Sequence, residues 1–116
     1  MRRTLPLILA ALLLLATTSC EDRRDATTKA ADWWPRSEQA MARCVIRHES
    51  SGNPYAVSPS NDHGILQVNA VHRRAFEALT GKPFFPNIYN PVLAGQYGRQ
   101  LWDQQGWRPW VGARYC

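Results

Sequence analysis

The spacing of apolar residues predicts three amphipathic helices, because apolar positions recur every three or four residues in three separate stretches of the chain. In the first stretch, Ser37 can cap the helix, and the turn-forming residues 50–54 end it. Four residues form its predicted apolar stripe: Met41, Cys44, Val45 and His48. Glu49 therefore lies in the last turn, where a carboxylate opposes the negative end of the helix dipole and gains nothing structurally.

A second helix is predicted over 69–79, with Asn69 as its cap. Four of its residues are predicted to point inward: Val71, Ala75, Phe76 and Leu79. Between these two helices, residues 54–63 carry prolines, serines and other turn-forming residues. We expect a loop there, with short extended pieces near 55–57 and 65–68.

The third helix follows a proline-broken aromatic loop with the sequence KPFFPNIY. Asn90 and Pro91 provide its cap and first turn, and Gly106 ends it. Its inner face is predicted to consist of Leu93, Tyr97, Leu101 and Trp102. The tail WRPWVGARYC carries two tryptophans and a cysteine, so we expect it to pack back onto the first helix. The pattern predicts a mainly α, compact domain with a short loop or β-like segment after the first helix.

The start of the chain has a pattern typical of an export signal. Two arginines precede an apolar run over 5–16, which is shorter than the about 20 residues of a membrane-spanning helix. We expect residues 1–20 to direct the protein to the periplasm or cell envelope. Cys20 resembles the processing site of a bacterial lipoprotein, although Thr17 stands where leucine is usual. Lipidation of Cys20 would anchor the protein to a membrane; cleavage near Ser19 would free or remove it.

The next segment, 21–32, is charged and lacks large apolar side chains, so it is predicted to be a tether rather than folded structure. The folded domain is then 33–116, a size at which one hydrophobic core is marginal. With Cys20 set aside, Cys44 and Cys116 form an even pair in a chain predicted to reach an oxidising compartment. One disulfide is the simpler expectation, and two free buried thiols are the alternative.

The charge is basic, with a formal net charge of +5 at pH 7. From residue 33 onward the basic residues are scattered, and the longest run is Arg73-Arg74. Scattered charge is typical of a solvated surface, and its sign suits polyanionic surroundings such as cell-wall polymer. The export signal and the lack of a basic stripe argue against nucleic acid as the partner. We expect a monomer.

Few residues have the chemistry for catalysis. The histidines show no metal-ligand spacing, and no nucleophile elbow or phosphate loop occurs, so no metal and no cofactor is expected. Cleaving a glycosidic bond needs an acid that is still protonated near neutral pH, and burial beside apolar groups raises a carboxyl pKa in that direction. Glu49 is the candidate acid, and Asp62 is the candidate second carboxylate. The alternative for Glu49 is a surface residue at a helix end.

The stretch HESSGNPYAVSPSNDHGILQVN resembles the signature of lytic transglycosylase domains of the soluble (SLT) type in the lysozyme-like superfamily. The matching elements are Glu-Ser at 49–50, Asn-Pro at 53–54, Ala-Val-Ser at 56–58 and Gly-Ile-Leu-Gln at 64–67. It also looks like animal-type lysozymes, in which a cysteine stands five residues before the catalytic glutamate. In those lysozymes this cysteine pairs with one near the end of the domain, which implies a bond from Cys44 to Cys116.

The resemblance implies an enzyme that cleaves the β-1,4 bond from N-acetylmuramic acid to N-acetylglucosamine in peptidoglycan. Glu49 would act as acid and then as base, forming a 1,6-anhydro end without a second carboxylate. In the hydrolytic alternative, Asp62 assists as nucleophile or base. A third alternative, from another class, is a wall-binding module without turnover.

The same resemblance suggests six substrate-binding residues: Ser50, Ser51, His63, Gln67, Asn69 and Tyr97. For Gln67 the alternative is a buried amide that satisfies the main chain. For His63 the alternative is an exposed loop histidine.

Overall fold

The structure, a computed structural model, describes residues 20–116, so nearly all of the predicted export signal lies outside the described residues. Five helices occur in this part of the chain: α1 over 20–31, α2 Gln39–Ser50, α3 Arg73–Thr80, α4 Phe84–Asn87 and α5 Pro91–Gln105. Two short strands, β1 Asp62–His63 and β2 Val68–Asn69, lie between α2 and α3. Three 3-10 turns complete the elements: Arg36–Glu38, Ala70–His72 and Val111–Tyr115. None of the described helices is long and apolar enough to cross a membrane.

The predicted fold class is confirmed: the domain is mainly helical and has one small sheet after α2. The two strands pair antiparallel, with Asp62 opposite Asn69 and His63 opposite Val68. An isolated bridge between Val57 and His63 adds a third extended segment. The segment between the two strands is tied to the end of α2 by a hydrogen bond from the Ser50 hydroxyl to the Ile65 carbonyl oxygen.

Helix α2 is present as predicted, but its inward face differs by about one position. Ala42, Val45 and Ile46 are its buried residues, whereas Cys44 is half-buried and His48 is exposed. The helix follows a 3-10 turn, so Ser37 lies inside that turn and does not cap it. The predicted stripe was therefore partly wrong, because Cys44 and His48 face the C-terminal tail and not the core.

The predicted cap forms at the 3-10 turn that leads into helix α3, where the side chain of Asn69 accepts a hydrogen bond from the Val71 N–H. Helix α3 itself begins without a side-chain cap. The inward face was wrong at two of its four positions: Val71 is 81% exposed and Ala75 is exposed, while Phe76 is fully buried. The reason is the 3-10 turn that precedes the helix. A 3-10 turn has three residues per turn, so it shifts the phase of a count made at 3.6 residues from Asn69.

Helix α5 matches its prediction at both ends. Asn90 accepts a hydrogen bond from the Val92 N–H at 3.0 Å, and Gly106 ends the helix with a φ of 63°. Tyr97 and Leu101 are buried as predicted, whereas Leu93 and Trp102 are only partly buried. The centre of the inner face instead consists of small residues: Ala94, Gly95 and Gly98.

The predicted tether is wrong, because residues 20–31 form helix α1 and three of its alanines belong to the core: Ala26, Ala30 and Ala31. A side chain at Gly95 would place its Cβ 2.6 Å from the Ala30 carbonyl oxygen, so α1 and α5 meet backbone to backbone. The prediction counted only large apolar side chains. Alanines facing a glycine allow close packing without them, and the folded unit therefore begins before residue 33.

The C-terminal tail packs on α2 as predicted, and the disulfide between Cys44 and Cys116 is confirmed, with their Cα atoms 5.9 Å apart. Trp34 is buried at the centre of a tryptophan cluster, stacked on Trp107 and edge-on to Trp110. Cys20, the first of the described residues, is an exposed, free cysteine in α1.

Candidate active site

Glu49 lies half-buried at the end of α2, and its carboxylate is held by the chain's last segment. The Gly112 N–H donates to Oε1 of Glu49 at 3.0 Å. This approach needs a glycine, because a Cβ on Gly112 would lie 3.0 Å from that oxygen and 2.9 Å from the Cβ of His48. One carboxylate oxygen of Glu49 is thus fixed by a main-chain donor.

The segment 110–116, which we call the C-terminal clamp, is attached to the domain on both sides of Gly112. At its start, the indole N–H of Trp110 donates to the Leu66 carbonyl oxygen at 3.0 Å. At its end, Cys116 is bonded to Cys44 on α2. The position of the Gly112 N–H, and with it that of the Glu49 carboxylate, therefore depends on these two attachments.

A small cavity of about 90 Å³ lies beside the clamp. Six of the residues that line it are Asp62, Gln67, Asn69, His72, Pro109 and Trp110. Trp110 lines the cavity, and Gly112, two residues later in the clamp, donates to Glu49, which is not itself among the lining residues. The structure thus brings three of the predicted site residues together at this cavity: Asp62, Gln67 and Asn69.

Asp62 is tied into its own hairpin by both carboxylate oxygens. Its Oδ2 accepts from the Ser58 hydroxyl at 3.1 Å, and its Oδ1 accepts from the side-chain amide of Asn69 at 3.0 Å. That amide also donates to the Ser60 carbonyl oxygen at 2.9 Å. Asp62 and Asn69 line the cavity, but their polar atoms already join β1 to β2 and to the turn that precedes β1.

Two other predicted substrate ligands also serve the main chain. The side-chain amide of Gln67 donates to the carbonyl oxygens of Ala56 and Gly64, each at 3.1 Å. Gln67 thus satisfies main-chain carbonyl groups, which was the alternative to substrate binding. Its side-chain carbonyl oxygen is the polar atom left for a ligand. The Ser50 hydroxyl donates to the Ile65 carbonyl oxygen at 2.8 Å, which ties α2 to the segment that follows β1.

Ser51 and His63 lie elsewhere. Ser51 ends α2 in a left-handed conformation and faces a different cavity, between α1 and α2. His63 is 7% exposed, and its ring nitrogens lie 2.9 Å from the Tyr89 hydroxyl and 2.7 Å from Oδ1 of Asn61. Neither the predicted sugar contact nor an exposed loop position fits a buried ring whose nitrogens are both engaged. His63 is buried because the aromatic loop before α5 covers it. The ring of Phe85 packs edge-on to the His63 ring, with the ring centroids 4.8 Å apart.

Tyr97 is only 1% exposed, so it does not reach a sugar from its present position. Its hydroxyl forms a hydrogen bond with Nδ1 of His72 at 2.8 Å, and His72 lines the cavity. Burial raises the pKa of the Tyr97 phenol above its ordinary value of 10.0. Tyr97 therefore acts on the cavity through His72, a residue that the sequence did not single out for the site.

His48 lies beside the disulfide. One ligand atom each from Cys44, His48 and Cys116 lie within 4.8 Å of one another. Both sulfur atoms are consumed by the disulfide, and a metal would need them as thiolates. The group is therefore a covalent attachment point of the clamp.

Gly112 is the other site residue that sequence reasoning missed. The tail was expected to pack on α2, but no residue in it was assigned a contact with Glu49. A glycine among the large aromatic residues of this tail is a signal of close backbone approach. The signal does not say which residue approaches.

Comparisons with known proteins place these features in a wider context. The family model described as the transglycosylase SLT domain matches residues 26–105. Lysozyme P of Drosophila melanogaster is 31% identical over 97 residues, which cover 71% of this chain and 67% of the relative. No solved structure gives a significant match. The matched family region includes α2 and the hairpin, whereas the clamp lies beyond its end.

Proposed function

Because the chain belongs to the family of transglycosylase SLT domains in the lysozyme-like superfamily, we propose that it cleaves peptidoglycan by lytic transglycosylation. The family supports an enzyme that cleaves glycan strands. The reaction type, the bond and the catalytic residue are our proposal. The bond is the β-1,4 link from N-acetylmuramic acid to N-acetylglucosamine.

Glu49 carries out both proton transfers in this proposal. Its Oε1 accepts the Gly112 N–H, so we assign the proton to the other oxygen, Oε2. The protonated acid gives its proton to the glycosidic oxygen as the bond to C1 of the muramic acid breaks. The resulting carboxylate then takes the proton of the 6-hydroxyl of the same muramic acid, as the oxygen of that hydroxyl bonds to C1. The product is a 1,6-anhydro ring, and no water is consumed.

The observation that supports this reaction over hydrolysis is the unequal bonding of the two carboxylates. Glu49 accepts one main-chain N–H, while Asp62 accepts a side-chain donor on each oxygen. A hydrolytic pair needs its second carboxylate as nucleophile or as base toward water. Asp62 would have to give up hairpin bonds to act in that way, and a transglycosylase does not require it.

Hydrolysis stays the second candidate, because the lysozyme relative is similar over most of the chain. In that reaction Glu49 would have the same role as acid, and Asp62 would leave its hairpin partners. A wall-binding module without turnover is the candidate from another class. Such a module would not need the Glu49 carboxylate to be held by the Gly112 N–H.

The substrate also bears on location. Peptidoglycan lies outside the cytoplasm, so we propose that the protein is exported by residues 1–20. The exposed, free thiol of Cys20 is compatible with attachment of a lipid. Mass measurement of the mature N-terminus distinguishes a lipid-anchored protein from a released one.

The test of Glu49 uses a matched pair of glutamate variants, one at each end of α2. Glu38, just before α2, also accepts an N–H from the C-terminal region, since the Trp107 indole donates to its Oε2 at 3.2 Å. We expect Glu49→Gln to lower peptidoglycan digestion by roughly a thousandfold, the range of a lost general acid. Glu38→Gln should keep wild-type digestion.

Digestion is measured by release of soluble muropeptides, with circular dichroism to verify that both variants fold. Equal activity of Glu49→Gln and the wild type would remove Glu49 from the mechanism. Digestion by neither wild type nor variant would favour the wall-binding module.

A further inference from the structure

We propose that this protein has a second ligand site, a phosphate-binding groove between α1 and α2. The groove is a cavity of about 390 Å³. Four arginines line it, together with hydroxyl-bearing residues of both helices: Arg23, Arg24, Arg43 and Arg47, with Thr28 and Ser51. We call it the arginine groove.

The guanidinium groups of the groove have no anionic partner in the described part of the chain. The ion pairs there join Lys29 to Asp25 and Arg99 to Asp103, and none of the four arginines takes part. The groove has no acidic residue among those that line it. One of the four, Arg43, has a protein contact through its guanidinium, at 3.4 Å from the Thr28 hydroxyl. The groove therefore concentrates unneutralised positive charge.

The two walls are held together by close packing. A Cβ on Gly52 would lie 2.8 Å from the Thr27 hydroxyl oxygen and 3.2 Å from the Arg23 carbonyl oxygen. Arg43 and Arg47 are one turn apart on α2, where like charges repel each other. An anion between the walls would relieve this repulsion, and the exposure of all four arginines leaves it free to enter.

The chemistry of the groove favours a phosphate over a carboxylate. Arginine binds both in a bidentate manner, but a phosphate ester carries a charge of about −1.5 to −2 and three acceptor oxygens. Such a group matches several guanidinium groups at once. The volume falls within the roughly 300–1,000 Å³ of small-molecule sites, so a phosphate with an attached organic group fits. A soluble phosphate monoester offers all of this chemistry, and the phosphodiester headgroup of an anionic phospholipid offers one negative charge and two acceptor oxygens.

The test compares two double variants that lose the same charge. Arg43→Gln with Arg47→Gln removes two arginines of the groove. Arg73→Gln with Arg74→Gln, the control, removes two exposed arginines of α3 that do not line it. Calorimetric titration uses glycerol 3-phosphate as probe and glutarate as its carboxylate counterpart. We expect the wild type to prefer glycerol 3-phosphate, and the groove variant alone to lose roughly tenfold or more in affinity.

Vesicles identify the source of the phosphate. Binding to phosphatidylglycerol vesicles is compared with binding to phosphatidylcholine vesicles, so that any contribution of the apolar N-terminus is common to both. A groove-dependent preference for phosphatidylglycerol indicates a lipid headgroup; binding of glycerol 3-phosphate alone indicates a soluble ester.

Equal losses in the two double variants, a preference for glutarate, or no binding of either phosphate probe would each overturn the proposal. Peptidoglycan digestion by the groove variant is measured in parallel. We expect it to be unchanged, since neither Glu49 nor any residue of the clamp lines the groove. A failure of the phosphate site is thereby separated from a failure of the proposed function.

Discussion

Glu49 and Asp62 are close in the sequence, but they are held by opposite kinds of contact. The partner of Glu49 is Gly112, which reaches it only because the clamp folds back onto α2. The partners of Asp62 are Ser58 and Asn69, which belong to its own hairpin. The geometry of the first carboxylate thus depends on tertiary structure, and that of the second on local structure. Changes to the clamp should therefore affect catalysis and leave the hairpin in place.

The largest expected effect comes from removing the disulfide with Cys44→Ser and Cys116→Ser. The bond joins residues 72 positions apart, and the loss of such a link should lower the free energy of unfolding by about 4 kcal/mol in the chain-entropy model. The clamp would then lose its covalent attachment to α2 and keep only non-covalent contacts, so digestion per folded molecule should also fall. Urea unfolding gives the stability, and digestion is measured at a temperature where the variant is folded. Full activity of the folded variant would show that Glu49 does not need the covalent attachment of the clamp.

A smaller effect is expected from Gly112→Ala, which changes the contact itself. The added methyl group displaces Glu49 or weakens its hydrogen bond, and a bond to a charged group is worth about 1.5–3 kcal/mol. We expect kcat to fall roughly tenfold with KM unchanged. Val111→Ala is the control, since Val111 is exposed in the same segment. Equal kinetics for the two variants would contradict a positioning role for Gly112.

The smallest effect concerns Tyr97, behind the cavity that Asp62 lines. Burial raises the pKa of its phenol above the ordinary value of 10.0, so the folded protein holds this proton more tightly than the unfolded chain does. The resulting stability is fully present below about pH 10 and is lost as the pH rises through the folded pKa. Tyr97→Phe should flatten this alkaline loss in urea unfolding, whereas Tyr115→Phe, at an exposed position, should not. The same slope in both variants would rule out Tyr97 as its source.

The parts of the fold that the sequence predicted depend on local chemistry. Asn69 and Asn90 cap helices because their side chains bond to main-chain groups two residues away. Ser51 and Gly106 end helices because the chain turns there in conformations with positive φ. The pairing of Cys44 with Cys116 followed from parity and from the family resemblance. Such features need no knowledge of distant contacts.

The features that were missed come from close approach between distant segments. Helix α1 packs through alanines against Gly95, a contact that leaves no stripe of large apolar residues in the sequence. Gly112 can approach Glu49 closely because it has no side chain. His63 was assigned to the surface because nothing local shows that the aromatic loop covers it.

The arginine groove was missed for the same reason. In the sequence its arginines form two dispersed pairs, 23–24 and 43 with 47, and the first pair was assigned to a tether. Their assembly requires α1 to be folded and Gly52 to lie against it. The order of charges along the chain therefore indicated a solvated surface, whereas the position of the four arginines around one groove indicates an anion-binding site.

The central claim is that Glu49 cleaves the glycan strand without help from Asp62. Its most direct test is to digest peptidoglycan in water enriched in heavy oxygen, with wild type and with Asp62→Asn, and to weigh the released ends. We predict unlabelled 1,6-anhydro ends from both proteins, at rates within about threefold of each other. Reducing ends that carry heavy oxygen, together with a loss of activity in Asp62→Asn as large as that in Glu49→Gln, would contradict the claim.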